Sequence, residues 1–149
     1  MKKSVVLFLL SFLFTITVFA QNTLKLRYPK CEIANADVAA NTKGIKLFEI
    51  TTQEEFDKYF KITDDSKINF ETNMVLAAIV GADKEDKFVQ IDAASFISTK
   101  ARSIFVRYDV RDKEETNFYK FSVVVIQKPN YKKVAFMKGK FYNMAISGE

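Results

Sequence analysis

The chain carries 23 lysines and arginines, 18 aspartates and glutamates, one cysteine and no histidine. Without imidazole there is no Ser-His-Asp or Cys-His relay to activate a nucleophile. The usual zinc and copper sites, which rest on imidazole or clustered thiolates, lose their ligands in the same way. No glycine-rich phosphate loop or nucleophile elbow occurs. Carboxylates remain. Asp64-Asp65 and the group Asp83, Glu85, Asp86 offer oxygen ligands, but a calcium loop needs alternating ligands around a glycine at its sharp turn. Neither segment has that spacing, and both read as solvated turns. A glycosidase pair of carboxylates can come from distant parts of a chain, and no local pattern marks one here. These residues point to a non-catalytic protein with no cofactor and no metal.

Surface recognition is the other chemistry available. Lys128, Lys132, Lys133, Lys138 and Lys140 interleave with Tyr131, Phe136, Phe141 and Tyr142. Basic groups among aromatics can bind single-stranded nucleic acid and, by the same physics, anionic sugars or lipids. The same pattern describes a β-hairpin whose aromatics face the core and whose lysines guard an edge against unwanted pairing. For an exported chain the second account is preferred over nucleic acid. The candidate interaction surface is Lys128, Tyr131, Lys132, Lys133, Lys138 and Tyr142. Cys31 has no cysteine partner in the chain. It is read as a small apolar side chain in the interior, with an intermolecular bridge or a reactive thiol as the alternatives.

Export is read from the first twenty residues. Lys2 and Lys3 precede an apolar run from residue 5 to 19, and Val18 and Ala20 occupy the positions that a signal peptidase inspects. The run is shorter than the roughly 20 residues of a spanning helix. A secretory signal over residues 1–20 is expected, followed by a single β-rich domain over 21–149 with no membrane span of its own. Cys31 follows Tyr28-Pro29-Lys30, which is not a lipobox. The formal charge of +5 includes Lys2 and Lys3, so the exported chain carries about +3, too little to imply nucleic acid. Its expected place is the periplasm or the exterior of a bacterial cell.

The elements that must position these residues follow from periodicity. Residues 23–28 alternate as a first strand, ended by Pro29. Residues 31–43 are small and polar and read as a loop. Ile45 to Ile50 reads as a strand. Thr52 and Glu55 form a capping box that opens one short helix near residues 53–60, with Phe56, Tyr59 and Phe60 as its apolar stripe. Residues 74–80 are continuously apolar, as in a central strand buried on both faces. Strands follow over 88–97, 104–110, 118–126 and 131–137, separated by charged turns at 81–87 and 111–116 and by Pro129-Asn130. The fold class is mainly β (α+β). An antiparallel sheet, as a meander or a small sandwich or barrel, is covered by one helix.

From residue 50 to 129 the order of features resembles the C-terminal domain family of PrcB-type protease-complex subunits. The matching features are Glu54-Glu55-Phe56-Asp57-Lys58-Tyr59-Phe60, then Ile68-Asn69-Phe70, then Met74-Val75-Leu76-Ala77-Ala78-Ile79-Val80-Gly81. Phe88-Val89-Gln90-Ile91, Ile104-Phe105-Val106 and Val123 to Pro129 complete it. The charged turn Asp83 to Lys87 stands where the family often has a glycine-rich one. The resemblance implies a non-catalytic exported domain that associates with a protease, as accessory subunit or inhibitor, and it carries over no functional residue. An exported protease or another envelope protein is the expected partner. A small-ligand or polysaccharide-binding module using exposed aromatics such as Tyr131 and Tyr142 is the alternative. Amino-terminal sequencing of the exported protein is expected to begin at Gln21; a product that still starts at Met1 would refute the leader.

Overall fold

The computed structural model describes residues 21–98, 100–112 and 119–139. The expected leader (residues 1–20), most of the charged turn at 111–116, and Lys140, Phe141 and Tyr142 lie outside the described residues. The described elements run β1 (Gln21–Thr23), β2 (Cys31–Ile33), α1 (Ala36–Ala40), β3 (Ile45–Ile50), α2 (Gln53–Tyr59) and β4 (Phe60–Ile62). They continue with β5 (Asn73–Val80), a 3-10 turn (Ala82–Lys84), β6 (Lys87–Ile97), β7 (Ser103–Asp112), β8 (Phe121–Gln127) and β9 (Lys133–Lys138). They form a four-stranded sheet in the order β1-β6-β7-β9, a three-stranded sheet β3-β5-β8, and a two-stranded ribbon β2-β4.

The three-stranded sheet lies in the middle, and the reason is β5. Its side chains from Met74 to Val80 are all buried. Met74, Leu76, Ala78 and Val80 join one core with Val89, Ile91, Ala94, Ile104 and Val106 of the four-stranded sheet. Val75, Ala77 and Ile79 join a second core with Phe48, Ile50, Phe56 and Phe60. Alternation sends successive side chains to opposite faces, so an unbroken apolar strand demands a cover on each side. On one side the cover is the large sheet. On the other it is α2 with the β2-β4 ribbon, packed through Phe56, Phe60, Ile33 and Ile62. α2 starts as expected, with the Thr52 hydroxyl accepting the Glu55 amide at 3.2 Å. Two turns of helix are marginal alone, and the wholly buried Phe56 pins it to the sheet.

The two large sheets are stitched along one side. β1 pairs with the end of β6, the Leu24 amide still donates to the Ala94 carbonyl, and the chain then crosses to β8 by Arg27. There Arg27 donates its amide to the Val125 carbonyl at 3.0 Å, and Val125 donates back to the Arg27 carbonyl at 2.8 Å. The first half of β6 meets the approach to β8. The Val89 amide donates to the Tyr119 carbonyl at 2.8 Å, and the Ile91 amide to the Ser122 hydroxyl at 2.9 Å. A register shift between Ile91 and Ala93 bends β6 at Asp92. Asp92 then takes a two-pronged ion pair from Arg107, with both contacts at 2.7 Å.

Four expectations need correction. The expected strand over 23–28 is a ladder only over Gln21–Thr23 with a bridge at Arg27, because the segment changes sheets. Residues 31–43 are not a loop. β2 pairs with β4, and α1 is capped by Asn35, whose side chain accepts the Val38 amide. The ladders are not all antiparallel: β7 and β9 run parallel. Nor do the strands form a meander, since β8 leaves the large sheet between β7 and β9 for the middle one. The mainly β, sandwich-like α+β class stands. Among the described residues no helix is long and apolar enough to cross a membrane.

The corner between β5 and β6 is locked by two glycines. The Gly81 amide donates to the Gly44 carbonyl at 2.7 Å, and the Gly44 amide to Asp83 Oδ1 at 2.8 Å. A Cβ at Gly81 would sit 2.1 Å from the Thr42 carbonyl oxygen, so backbone would have to move. Gly81→Ala is therefore expected to destabilise by about 2 kcal/mol or more. Leu76→Ala is expected to lose roughly 2–5 kcal/mol through the cavity it leaves. Urea unfolding of both variants checks these values.

Candidate interaction surface

Among the described residues β9 is the edge of the large sheet, and the turn before it is held from several sides. Arg102 donates its amino group to Asn130 Oδ1 at 2.9 Å, and its carbonyl accepts the Lys132 amide at 2.7 Å. Arg102 itself sits in the left-handed region at φ 39, a conformation uncommon outside glycine. Those two bonds hold it there. Tyr131 donates its hydroxyl to Glu49 of β3, and its ring packs half-buried against the core. Burial, then the Glu49 carboxylate, push the Tyr131 hydroxyl above its ordinary pKa.

The six sequence-derived site residues divide between scaffold and surface. Lys128 is scaffold: its ammonium donates to the Phe70 carbonyl at 2.9 Å and its amide to the Thr72 carbonyl at 2.9 Å. Tyr131 is scaffold too, with its hydroxyl taken by Glu49 and its ring against the core rather than free as a platform. Lys133 and Lys138 of β9, and Lys132 just before it, are exposed. None of these three ammonium groups has an ion-pair partner among the described residues. Tyr142 lies outside the described residues.

Backbone direction completes the edge. In a parallel strand the N–H and C=O of one residue point the same way, and the direction alternates along the chain. The Gly139 amide donates to the Tyr108 carbonyl at 3.0 Å, with Tyr108 opposite Lys138. Odd-numbered residues of β9 therefore bond to β7, and Val134, Phe136 and Lys138 turn their backbone groups outward. β3, the edge of the middle sheet, behaves likewise. The Gly44 carbonyl bonds to Gly81 of the β5 side, so Ile45, Leu47 and Glu49 turn outward. β3 and β9 lie on the same side of the sandwich, opposite the stitched side, and the Tyr131–Glu49 bond spans them. Glu49, Arg102 and Asn130 escaped sequence reasoning, because nothing local says which strands become neighbours.

A second concavity lies against β3. Asn35, Asp37, Val38, Asn41, Thr42, Lys46 and Tyr59 line an open cleft of about 260 Å³. The Lys46 ammonium stands 5.0 Å over the Phe48 ring and 5.3 Å over the Tyr59 ring, within cation–π range. Sequence reasoning missed this cleft because four of its lining residues, Asn35, Asp37, Val38 and Asn41, come from α1 and its caps, read there as loop. Among the described residues no group of three or more Cys, Asp or Glu side chains is placed to hold a metal ion.

Cys31 is half-buried in β2 opposite Ile62, against the second core. Burial, and after it the Asp64 carboxylate, push its thiol up to about 11. Only the thiolate reacts, so the folded protein is expected to alkylate at pH 8 at least tenfold more slowly than the urea-unfolded chain. Because the folded thiol holds its proton more tightly than the unfolded one, this group's share of stability is full below about pH 9 and is lost as pH rises toward about 11. Iodoacetamide labelling followed by mass spectrometry measures the rates, and equal rates would refute the burial.

No family model, curated protein or solved structure matches the chain.

Proposed function

We propose that the protein is an exported, non-catalytic interaction domain that recruits a protein partner along β9. The observation that supports this reading most directly is an outward-facing backbone edge at Val134, Phe136 and Lys138, flanked by three lysines with no ion-pair partner among the described residues. Strand addition to such an edge takes affinity from main-chain hydrogen bonds and selectivity from the flanking side chains. The resemblance to PrcB-type subunits supports an exported protease as the partner, with the domain acting as accessory subunit or inhibitor.

The cleft beside β3 favours a second reading, a small-ligand or polysaccharide-binding module. Tyr59 lines the cleft with an aromatic ring beneath the Lys46 ammonium, and Asn35, Asn41 and Asp37 add hydrogen-bonding groups. That combination suits a sugar. NMR titration with neutral oligosaccharides, using Tyr59→Ala as control, tests it directly.

The first reading predicts a contrast between adjacent substitutions. Val134→Pro removes an outward N–H and leaves the β7 ladder complete, so the variant should fold. Ala135→Pro removes a ladder N–H and should destabilise by about 3 kcal/mol. An exported protease or envelope protein should co-purify with wild type and be lost with folded Val134→Pro. Equal recovery with both would overturn β9 as the docking edge.

A further inference from the structure

We infer that the occupant of the β9 edge is an extended protein segment in which carboxylate side chains alternate with small apolar ones. This rests on the reading of β9 as a docking edge and adds the chemistry of its partner.

Each side of an added strand meets different surroundings. Val134 and Phe136 point inward, half-buried against the first core. On β3, Ile45 and Leu47 are half-buried against the same core. A strand laid beside β9 would place every second side chain on the face of Val134 and Phe136, beside these apolar groups. Burial there favours small aliphatic groups such as valine. The intervening side chains would stand on the outer face, beside Lys133 and the 38% exposed Met137. Lys132 lies at one end of the edge and Lys138 at the other.

Charge decides the polar positions. Asp92 pairs with Arg107 and Asp109 with Arg111, while the neutral Tyr131 hydroxyl holds the Glu49 carboxylate at β3 without cancelling its charge. No ion pair engages Lys132, Lys133 or Lys138 among the described residues. A carboxylate on the outer face meets Lys133, and carboxylates toward the two ends meet Lys132, just before the strand, and Lys138, which by alternation shares the face of Val134 and Phe136. A cationic segment would meet repulsion at the same positions. Single exposed ion pairs are weak, but three acting on one strand produce about tenfold discrimination at low salt.

The test uses a fluorescein-labelled octapeptide of alternating valine and glutamate, with alternating valine and lysine as its counterpart, read by anisotropy. The glutamate peptide should bind at least tenfold more tightly at 50 mM salt, and its affinity should fall at 300 mM. Lys132→Glu with Lys133→Glu and Lys138→Glu should invert the preference. Val134→Pro should abolish binding. In the wild-type protein the amide protons of Val134, Phe136 and Lys138 should exchange more slowly when the peptide is added, a readout independent of any variant's folding. If both peptides bind equally and both are lost in Val134→Pro, the acidic partner is overturned while the docking edge stands. If the glutamate peptide binds without protecting those three amides, edge and partner fall together. A concentration-dependent dimer that Val134→Pro abolishes would assign the edge to a second copy and also overturn the proposal.

Discussion

The structure depends on one constraint: β5 has neither a free face nor a free edge. β3 and β8 take its backbone groups on both sides, and every side chain from Met74 to Val80 is buried. Antiparallel sheets usually keep one face for water and show it as alternation. β5 cannot, so the chain has to build a layer on each side of it. The four-stranded sheet supplies one. The other is assembled from short pieces, and its contacts are dominated by aromatic rings. Phe56 and Phe60 lie 5.6 Å apart, Phe60 and Phe121 6.0 Å, and Phe48 and Tyr59 4.5 Å. Large rings let a seven-residue helix and a three-residue ribbon bury enough area to hold, where aliphatic side chains on so few positions would not.

Sequence patterns carried the elements further than their arrangement. The apolar run at 74–80 announced burial on both faces, and Thr52 announced the helix start, because both signals are local. The alternation of Ile104, Val106, Tyr108 and Val110 also reports a face correctly, with Ile104 and Val106 buried in the first core and Tyr108 and Val110 half-buried against it. β2 and α1 were illegible for a physical reason. A three-residue strand and a five-residue helix are too short to display a period, and their stability comes from β4 and the second core. The parallel pairing of β9 was equally hidden, since strand direction is set by which sheet β8 joins. The candidate surface was legible as a lysine-rich strand. Which of its members serve the fold was not: Lys128 reaches a carbonyl 58 residues away in sequence, and Tyr131 a carboxylate 82 residues away.

The two sides of the sandwich are finished differently. On the stitched side, backbone bonds, the Ser122 hydroxyl and the Lys120 ammonium close the gap. Lys120 donates to the carbonyls of Lys84, Glu85 and Lys87 while lying 4.5 Å over the Phe88 ring. A lysine there acts as a brace, its charge spread over fixed dipoles. On the other side the exposed lysines of β9 have no such carbonyls to hold them among the described residues. The same residue type thus does opposite work at the two margins, and only the surroundings distinguish them.

The parallel pairing of β7 with β9 also bears on how the molecule loosens. The hairpin of β6 and β7 is joined by its own turn, whereas β9 reaches β7 only through the excursion of β8 into the middle sheet. A strand at the end of its sheet is among the first to open. When β9 opens, the outward edge goes with it, so the surface at Val134, Phe136 and Lys138 lasts only as long as the β7 ladder behind it.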